Sequence, residues 1–112
     1  MIGVPYSLDG DLALEAIFSS NGFALSVSDE EMVKAVKLLA KYEGLFAEPT
    51  GAASVAGFIK AHRAGIVGKG DSAVAIITGT GLKTISAFKS VHAHSKIVGR
   101  DSSELKRAID EN

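Results

Sequence analysis

The feature that most restricts the fold of this chain is a run of small residues where a helix is predicted to begin. Seven of the eight residues at positions 49–56 are Pro, Thr, Gly, Ala or Ser, and a helical pattern then continues to about Ala64. Pro49 suits a first helical turn, and Gly65 suits a helix end. Two explanations are open: close packing of another backbone segment, or an anion or planar ligand at the free N–H groups.

Three more helices are predicted from periodicity and capping residues. One covers about residues 10–20. A second begins at the capping box formed by Ser28 and Glu31 and ends at Gly44. A third, amphipathic helix begins at about Ser102, near the end of the chain.

Three segments have the patterns of short strands. Residues 23–28 alternate apolar with small or polar side chains, residues 73–77 are continuously apolar, and residues 95–98 form a further strand in the tail. The element order predicts an α/β fold, a partial three-layer sheet with helices. So few strands make a poor sheet, because a buried strand needs neighbours on both sides, and the exposed edges predict self-association.

Composition restricts the class of protein. The 112 residues are 46% hydrophobic with a net charge of -1, which predicts one soluble globular domain and provides no basic surface for nucleic acid or anionic membrane. There is no cysteine. We find no apolar run of the ~20 residues that a membrane span needs and no signal-peptide pattern, so the predicted location is the cytoplasm.

The segment Ile76 to Lys83, IITGTGLK, is the second motif of interest. A hydroxyl and two glycines directly after a strand could meet a ligand, because ligands bind beyond the carboxyl ends of strands in open α/β sheets. An ordinary glycine turn is the alternative. The spacing excludes a dinucleotide fingerprint here and excludes a P-loop at residues 65–72.

No metal site or catalytic residue is predicted from the residues alone. His92 and His94 would share one face of a strand, but no cysteine or nearby acidic residue completes a metal site. His62 suits the last turn of its helix, where it interacts with the helix dipole. We find no convincing Ser-His-Asp arrangement.

Taken in order, three motifs over residues 2–83 resemble a known family. IGVPYS, VSDEEMVKAVKLLAKYEGLFAEPTGAASVAGFIK and AIITGTGLK are similar to the C-terminal part of threonine synthase. That family contains pyridoxal-phosphate enzymes of the tryptophan-synthase-β group, fold type II. EGLFAEPTGAASVAG is the strongest element, and TGTGLK resembles the family's TG-x-GLK.

The resemblance implies a fold, a reaction and a site. Residues 1–88 would form part of the large domain of a fold type II enzyme, and residues 89–112 would be a tail without a counterpart. The parent enzyme would be a lyase of threonine biosynthesis that converts O-phosphohomoserine to threonine. Thr78 would hydrogen-bond the ring nitrogen of pyridoxal phosphate, with Gly79 and Glu48 also at the cofactor.

Two parts that the family needs lie upstream of the matched region. They are the lysine that forms the Schiff base with the cofactor and the glycine-rich loop that binds its phosphate; Lys83 is not that lysine. The chain is therefore predicted to be an inactive fragment that self-associates or needs a missing N-terminal polypeptide. The alternative is a non-catalytic, self-associating or complementing module that binds a small phosphorylated ligand at the Thr50 helix start.

Overall fold

The computed structural model describes residues 3–88 and 97–110, and this part of the chain is mainly helical. None of its helices is long and apolar enough to cross a lipid bilayer. The elements, in chain order, are α1 (Gly10–Ser19), α2 (Asp29–Glu43), a 3₁₀ turn (Thr50–Ala52) leading into α3 (Ala53–Arg63), a kinked 3₁₀ segment (Gly81–Phe88) and α4 (Ser102–Asp110). All four predicted helices therefore form.

Helix α2 begins with the predicted capping box. The Ser28 hydroxyl accepts a hydrogen bond from the Glu31 N–H at 3.2 Å, and the Glu31 carboxylate accepts one from the Ser28 N–H at 2.7 Å. These bonds satisfy N–H groups that a helix start leaves free. One face of the helix is buried, and it consists of Met32, Ala35, Val36 and Leu39.

The core lies where α2 packs against α3 and against the turn that precedes it. The residues contributed from that side are small, so the backbones can approach closely: Ala47, Ala52 and Ala56 are all buried. Phe88 also belongs to this core, and its ring lies 5.3 Å from that of Phe46, centroid to centroid. Since the core is small, most of the large apolar side chains outside it remain exposed.

The predicted strands at residues 23–28 and 73–77 do not form. Within the described residues the only β pairing is an isolated antiparallel bridge between Ala47 and Thr80. The backbone groups of residues 23–27 and 73–77 make no backbone hydrogen bond to any described residue. A strand exists only when a neighbour satisfies its ladder, so the strand pattern alone could not produce a sheet. The partial three-layer sheet is thus not observed.

The tail prediction is only partly described. Ser95 and Lys96 of the predicted strand lie outside the described residues, and Ile97 and Val98 are not in a strand. Helix α4 forms where the amphipathic pattern predicts it, but none of its residues is buried. Its apolar side therefore faces solvent.

Exposed apolar surface is extensive. Leu8 is 96% exposed, Val74 93% and Phe18 76%. The chain has 8987 Å² of accessible surface, whereas a compact monomer of its mass would have about 5,800 Å². Large exposed apolar patches mark interaction surfaces, ligand-binding grooves or sites of aggregation.

Candidate functional site

The two sequence motifs meet in space, although the whole of α3 separates them in the chain. Residues 46–51 run antiparallel to residues 78–81. Gly81 N–H donates to the Phe46 carbonyl at 2.9 Å, Glu48 N–H to Gly79 at 3.4 Å, and Thr78 N–H to Gly51 at 3.3 Å. The candidate site is the turn at residues 78–81 together with the segment 46–51 that holds it.

Gly51 explains the small residues at the helix start. A Cβ atom added there would overlap the carbonyl group of Thr78. The backbone of the second motif therefore occupies the space that a side chain would take. The structure favours the packing explanation over a ligand at this helix start.

Glu48 connects the helix start to the glycine turn. Its half-buried side chain accepts a hydrogen bond from the Thr50 hydroxyl at 3.1 Å and lies directly against Gly79. Gly79 has φ of 69°, a left-handed conformation that favours glycine, and an added Cβ would also collide with the Glu48 carboxylate. Two predicted site residues, Glu48 and Gly79, are thus in contact.

Thr78 is the group that this arrangement leaves available. Its backbone N–H is bound to Gly51, but its hydroxyl makes no hydrogen bond to any residue that the structure describes. The residue is exposed. A neutral hydroxyl held on a backbone that is fixed at both ends can donate or accept one hydrogen bond to a ligand.

The remaining candidates do not join this site. His62 lies at the end of α3, and its Nδ1 is 2.9 Å from the Val67 carbonyl oxygen, a structural contact. His92 and His94 lie outside the described residues. Within the described ranges, no three His, Cys, Asp or Glu side chains come together as a metal site would require. Lys83 is exposed.

Sequence reasoning missed Phe46 as part of the site. Its carbonyl binds the Gly81 N–H, and its ring lies against Gly81, where an added Cβ would be 2.6 Å from the nearest ring atom. The signal was present, since Phe46 stands two residues before Glu48 in the motif. The position of Phe46 in the motif was not sufficient to predict this contact, because only the antiparallel pairing shows which residue faces Gly81.

A comparison with protein families identifies one match. The model of the family described as "Pyridoxal-phosphate dependent enzyme" matches residues 1–79, which is most of the chain. The match includes the EPTG segment and reaches Gly79 in the turn, so it covers both parts of the candidate site except for the final residues of the TGTG motif.

Several curated relatives are threonine synthases. The chain is 43% identical over 99 residues to that of Methanocaldococcus jannaschii, covering 88% of this chain and 24% of the relative. It is 52% identical over 98 residues to that of Bacillus sp. (strain ULM1), covering 87% of this chain and 28% of the relative. It is 46% identical over 82 residues to that of Mycobacterium tuberculosis (strain H37Rv), covering 73% of this chain and 22% of the relative. The chain spans about a quarter of the length of these relatives.

The described residues fit one edge of pyridoxal phosphate, the cofactor of this family. The free Thr78 hydroxyl is suited to a ring nitrogen, and Gly79 places no side chain beside it. Because the family model covers most of the chain, the chain belongs to the pyridoxal-phosphate dependent enzymes.

Proposed function

We propose that this chain is the C-terminal segment of a threonine-synthase-like enzyme that converts O-phosphohomoserine to threonine, and that it provides the contact to the ring nitrogen of pyridoxal phosphate. The observation that carries the proposal is the Thr78 hydroxyl. It has no partner among the described residues, although the turn on which it stands is bound to the segment 46–51 by three backbone hydrogen bonds.

A hydroxyl at this position suits the chemistry. Pyridoxal phosphate, when bound, supplies an electron sink, and the group that faces its ring nitrogen adjusts the strength of that sink. Thr78 is neutral, so it can hydrogen-bond the nitrogen without requiring that it be protonated. Its effect is to orient the ring and moderate electron withdrawal.

Glu48 and Gly79 act mainly on the shape of the turn in this proposal. The Glu48 side chain lies against Gly79 and is itself held by the Thr50 hydroxyl. Together they keep the backbone after Thr78 in its left-handed conformation, with no side chain between the turn and the cofactor ring. Both residues would then lie at the cofactor as the resemblance implies.

The isolated chain is proposed to be inactive. The resemblance implies that the lysine for covalent attachment and the loop for the cofactor phosphate belong to other parts of the enzyme. Cofactor binding by one edge alone would be weak, because a single neutral hydrogen bond contributes only ~0.5–1.5 kcal/mol net. The remaining parts would come from the portion of the enzyme that corresponds to the unmatched length of the relatives.

A second candidate function is a non-catalytic module that associates with itself or complements another polypeptide. The extensive exposed apolar surface favours it. A small phosphorylated ligand at the Thr50 helix start is less suitable, because the Glu48 carboxylate is hydrogen-bonded to Thr50 and would repel an anion there. The proposed module therefore acts through association.

The test is a pyridoxal-phosphate titration followed by absorbance, with borohydride reduction and mass analysis. It uses the chain alone and the chain mixed with the Bacillus sp. threonine synthase from which the matched segment has been deleted. We expect no adduct on the chain alone, and an adduct on the other polypeptide together with threonine formation in the mixture. A specific adduct on a lysine of this chain would contradict its proposed inactivity.

Variants of Thr78 test the assigned contact. In the mixture, Thr78→Val should weaken cofactor affinity several-fold and shift the absorbance of the bound cofactor, because one hydrogen bond of about 1 kcal/mol is lost. Thr78→Ser should restore both. Thr80→Val is the control for the stability of the turn, since Thr80 is also exposed and its hydroxyl accepts a hydrogen bond from the Leu82 N–H at 3.4 Å. Equal effects of the two valine variants would remove the special role of Thr78.

A further inference from the structure

The hydroxyl group of Ser54, in the first turn of α3, makes a contact far along the chain. It donates a hydrogen bond at 2.8 Å to the carbonyl of Ile76, which lies 22 residues away. A serine in a helix often bonds instead to a carbonyl three or four residues earlier in the same helix. Ser54 therefore joins α3 to the segment that leads to Thr78.

This bond continues the contact between the two motifs beyond the point where their backbone pairing ends. The backbone bonds between residues 46–51 and 78–81 end at Gly51, whose carbonyl accepts the Thr78 N–H at 3.3 Å. From Ala53 onwards the backbone is helical, so its carbonyl groups bond within α3. Residues three apart lie on the same face of a helical turn. The Ser54 side chain thus follows Gly51 on that face and supplies the next bond to the same segment.

The backbone on both sides of Ile77 is thereby fixed to the start of α3. The Ile76 carbonyl is held by Ser54 and receives no backbone hydrogen bond from any residue that the structure describes. The Thr78 N–H is held by Gly51. Ile77 itself is partly buried against the core. The chain therefore arrives at Thr78 with a defined direction.

The direction of the backbone sets the direction of the Thr78 hydroxyl. Threonine is branched at Cβ, so its χ1 torsion is restricted and its hydroxyl follows the backbone. A hydrogen bond weakens steeply when donor and acceptor are misaligned. A small rotation of the chain at residues 76–78 would therefore weaken a bond between this hydroxyl and a ring nitrogen.

We propose that Ser54 is a positioning residue for the cofactor contact: its hydroxyl fixes the Ile76 carbonyl and thereby orients the Thr78 hydroxyl towards the ring nitrogen of pyridoxal phosphate. The inference rests on the proposed function and adds a residue to the same site. Ser54 acts through Thr78 and is assigned no contact of its own with the cofactor.

A need for a small residue does not by itself account for serine at this position. Ser54 is exposed, and alanine occupies the two positions before it. Alanine is also the better helix former. If only small size mattered, Ser54→Ala would stabilise α3 slightly and leave Thr78 unaffected. The positioning role predicts a looser Thr78 in the same variant.

Hydrogen exchange of the complete free chain tests the hold of Ser54 on Thr78. Ser54→Ala should speed exchange of the Thr78 N–H by roughly two- to tenfold, the factor that corresponds to one net hydrogen bond, and leave the amides of α2 unchanged. Ser54→Thr keeps the hydroxyl and should restore the wild-type rate. Gly57→Ala is the matched control, because it also raises the helix propensity of α3 and its methyl group would meet nothing within 4 Å.

The bound cofactor reports whether this hold matters at the site. In the mixture with the Bacillus sp. enzyme that lacks the matched segment, Ser54→Ala should shift the cofactor absorbance in the same direction as Thr78→Val and weaken cofactor binding by a smaller factor. Ser54→Thr should restore both. In the Thr78→Val background, Ser54→Ala should add no further change, because no hydroxyl is left to orient.

Each other outcome also decides the proposal. Unchanged Thr78 exchange in Ser54→Ala, or an equal change in Gly57→Ala, would overturn it. Additive effects of Ser54→Ala and Thr78→Val on the cofactor would overturn it too, because Ser54 would then act by another route. So would a cofactor that responds to Thr78→Val but not to Ser54→Ala. Faster Thr78 exchange in Ser54→Ala, with a cofactor indifferent to Thr78→Val, would support the hold of Ser54 on Thr78 while removing the proposed function.

Discussion

At the scale of single residues, two glycines of α3 and its preceding turn have opposite surroundings. Gly51 faces the Thr78 carbonyl so closely that a side chain cannot be added without moving backbone. Gly57 lies in the middle of α3 with open space around its missing side chain. Glycine is therefore required at the first position for a packing reason and not at the second.

These surroundings predict stability changes of opposite sign. Gly51→Ala should lower the free energy of unfolding by ~1–3 kcal/mol, because the added methyl group forces the turn at residues 78–81 away from the helix start. Gly57→Ala should raise it by up to ~1 kcal/mol, because alanine is the better helix former. Urea denaturation measures both. An unchanged stability for Gly51→Ala would show that the two motifs are not in contact.

The site at this scale was predicted in part. Glu48, Thr78 and Gly79 are identified from the resemblance, and the structure places Glu48 against the turn that contains Thr78 and Gly79; their cofactor contacts stay a prediction. The sequence is compatible with two explanations for the small residues, packing or a ligand. The contact between Thr78 and Gly51 in the structure favours packing. The sequence could not reveal this contact, because α3 separates the two residues in the chain.

At the scale of elements, α2 is the helix most fully determined by local sequence. Its capping box, apolar face and C-terminal glycine all form as predicted. The Ser28 N–H bound to the Glu31 carboxylate lowers the pKa of Glu31 below its usual value of 4.5; burial opposes this shift, and Lys60 adds to it. The cap therefore depends on an ionised carboxylate.

This shift predicts acid sensitivity. Because the pKa of Glu31 is lower in the folded chain than in the unfolded chain, its contribution to stability is complete above about pH 4.5 and is lost as the pH falls through the lower, folded pKa. Glu31→Gln should reduce the loss of stability on acidification, as measured by thermal melts across this range. Glu15→Gln in α1 is the control. The same pH dependence in the wild type and Glu31→Gln would contradict this role.

Local sequence pattern predicts helices more reliably than it predicts strands. A helix satisfies its hydrogen bonds within one segment, so α1, α2, α3 and α4 could be predicted from periodicity and caps. A strand needs a second segment to pair with, and the described residues do not provide one for residues 23–28 or 73–77. The strand patterns predict a sheet, but no local pattern identifies the segment with which a strand will pair.

At the scale of the whole molecule, stability is concentrated in a small region. The α2–α3 core contains nearly all of the buried apolar residues, whereas α1 and α4 bury none. Isolated helices shorter than ~12–15 residues are marginal in water. The chain should thus behave as a folded centre with weakly held ends.

Hydrogen exchange should reveal this division in the free chain. We expect amides of α2 to exchange only through global unfolding and those of α1 to exchange much faster, because α1 is a ten-residue helix with no buried residue. The measurement should be repeated at several dilutions. Equal protection of α1 and α2 at all concentrations would show that α1 is held by contacts that this structure does not contain.

What the sequence by itself determined is the set of helices, the cap of α2 and the family to which the motifs belong, because each depends on neighbouring residues or on motif order. The tertiary structure decided that the backbone of Thr78 packs against Gly51 at the helix start, and that residues 23–28 and 73–77 each hydrogen-bond to α3 without pairing with each other. The physical reason is the same in both cases: close approach and strand pairing join residues far apart in the chain, and no local pattern states which residues will meet.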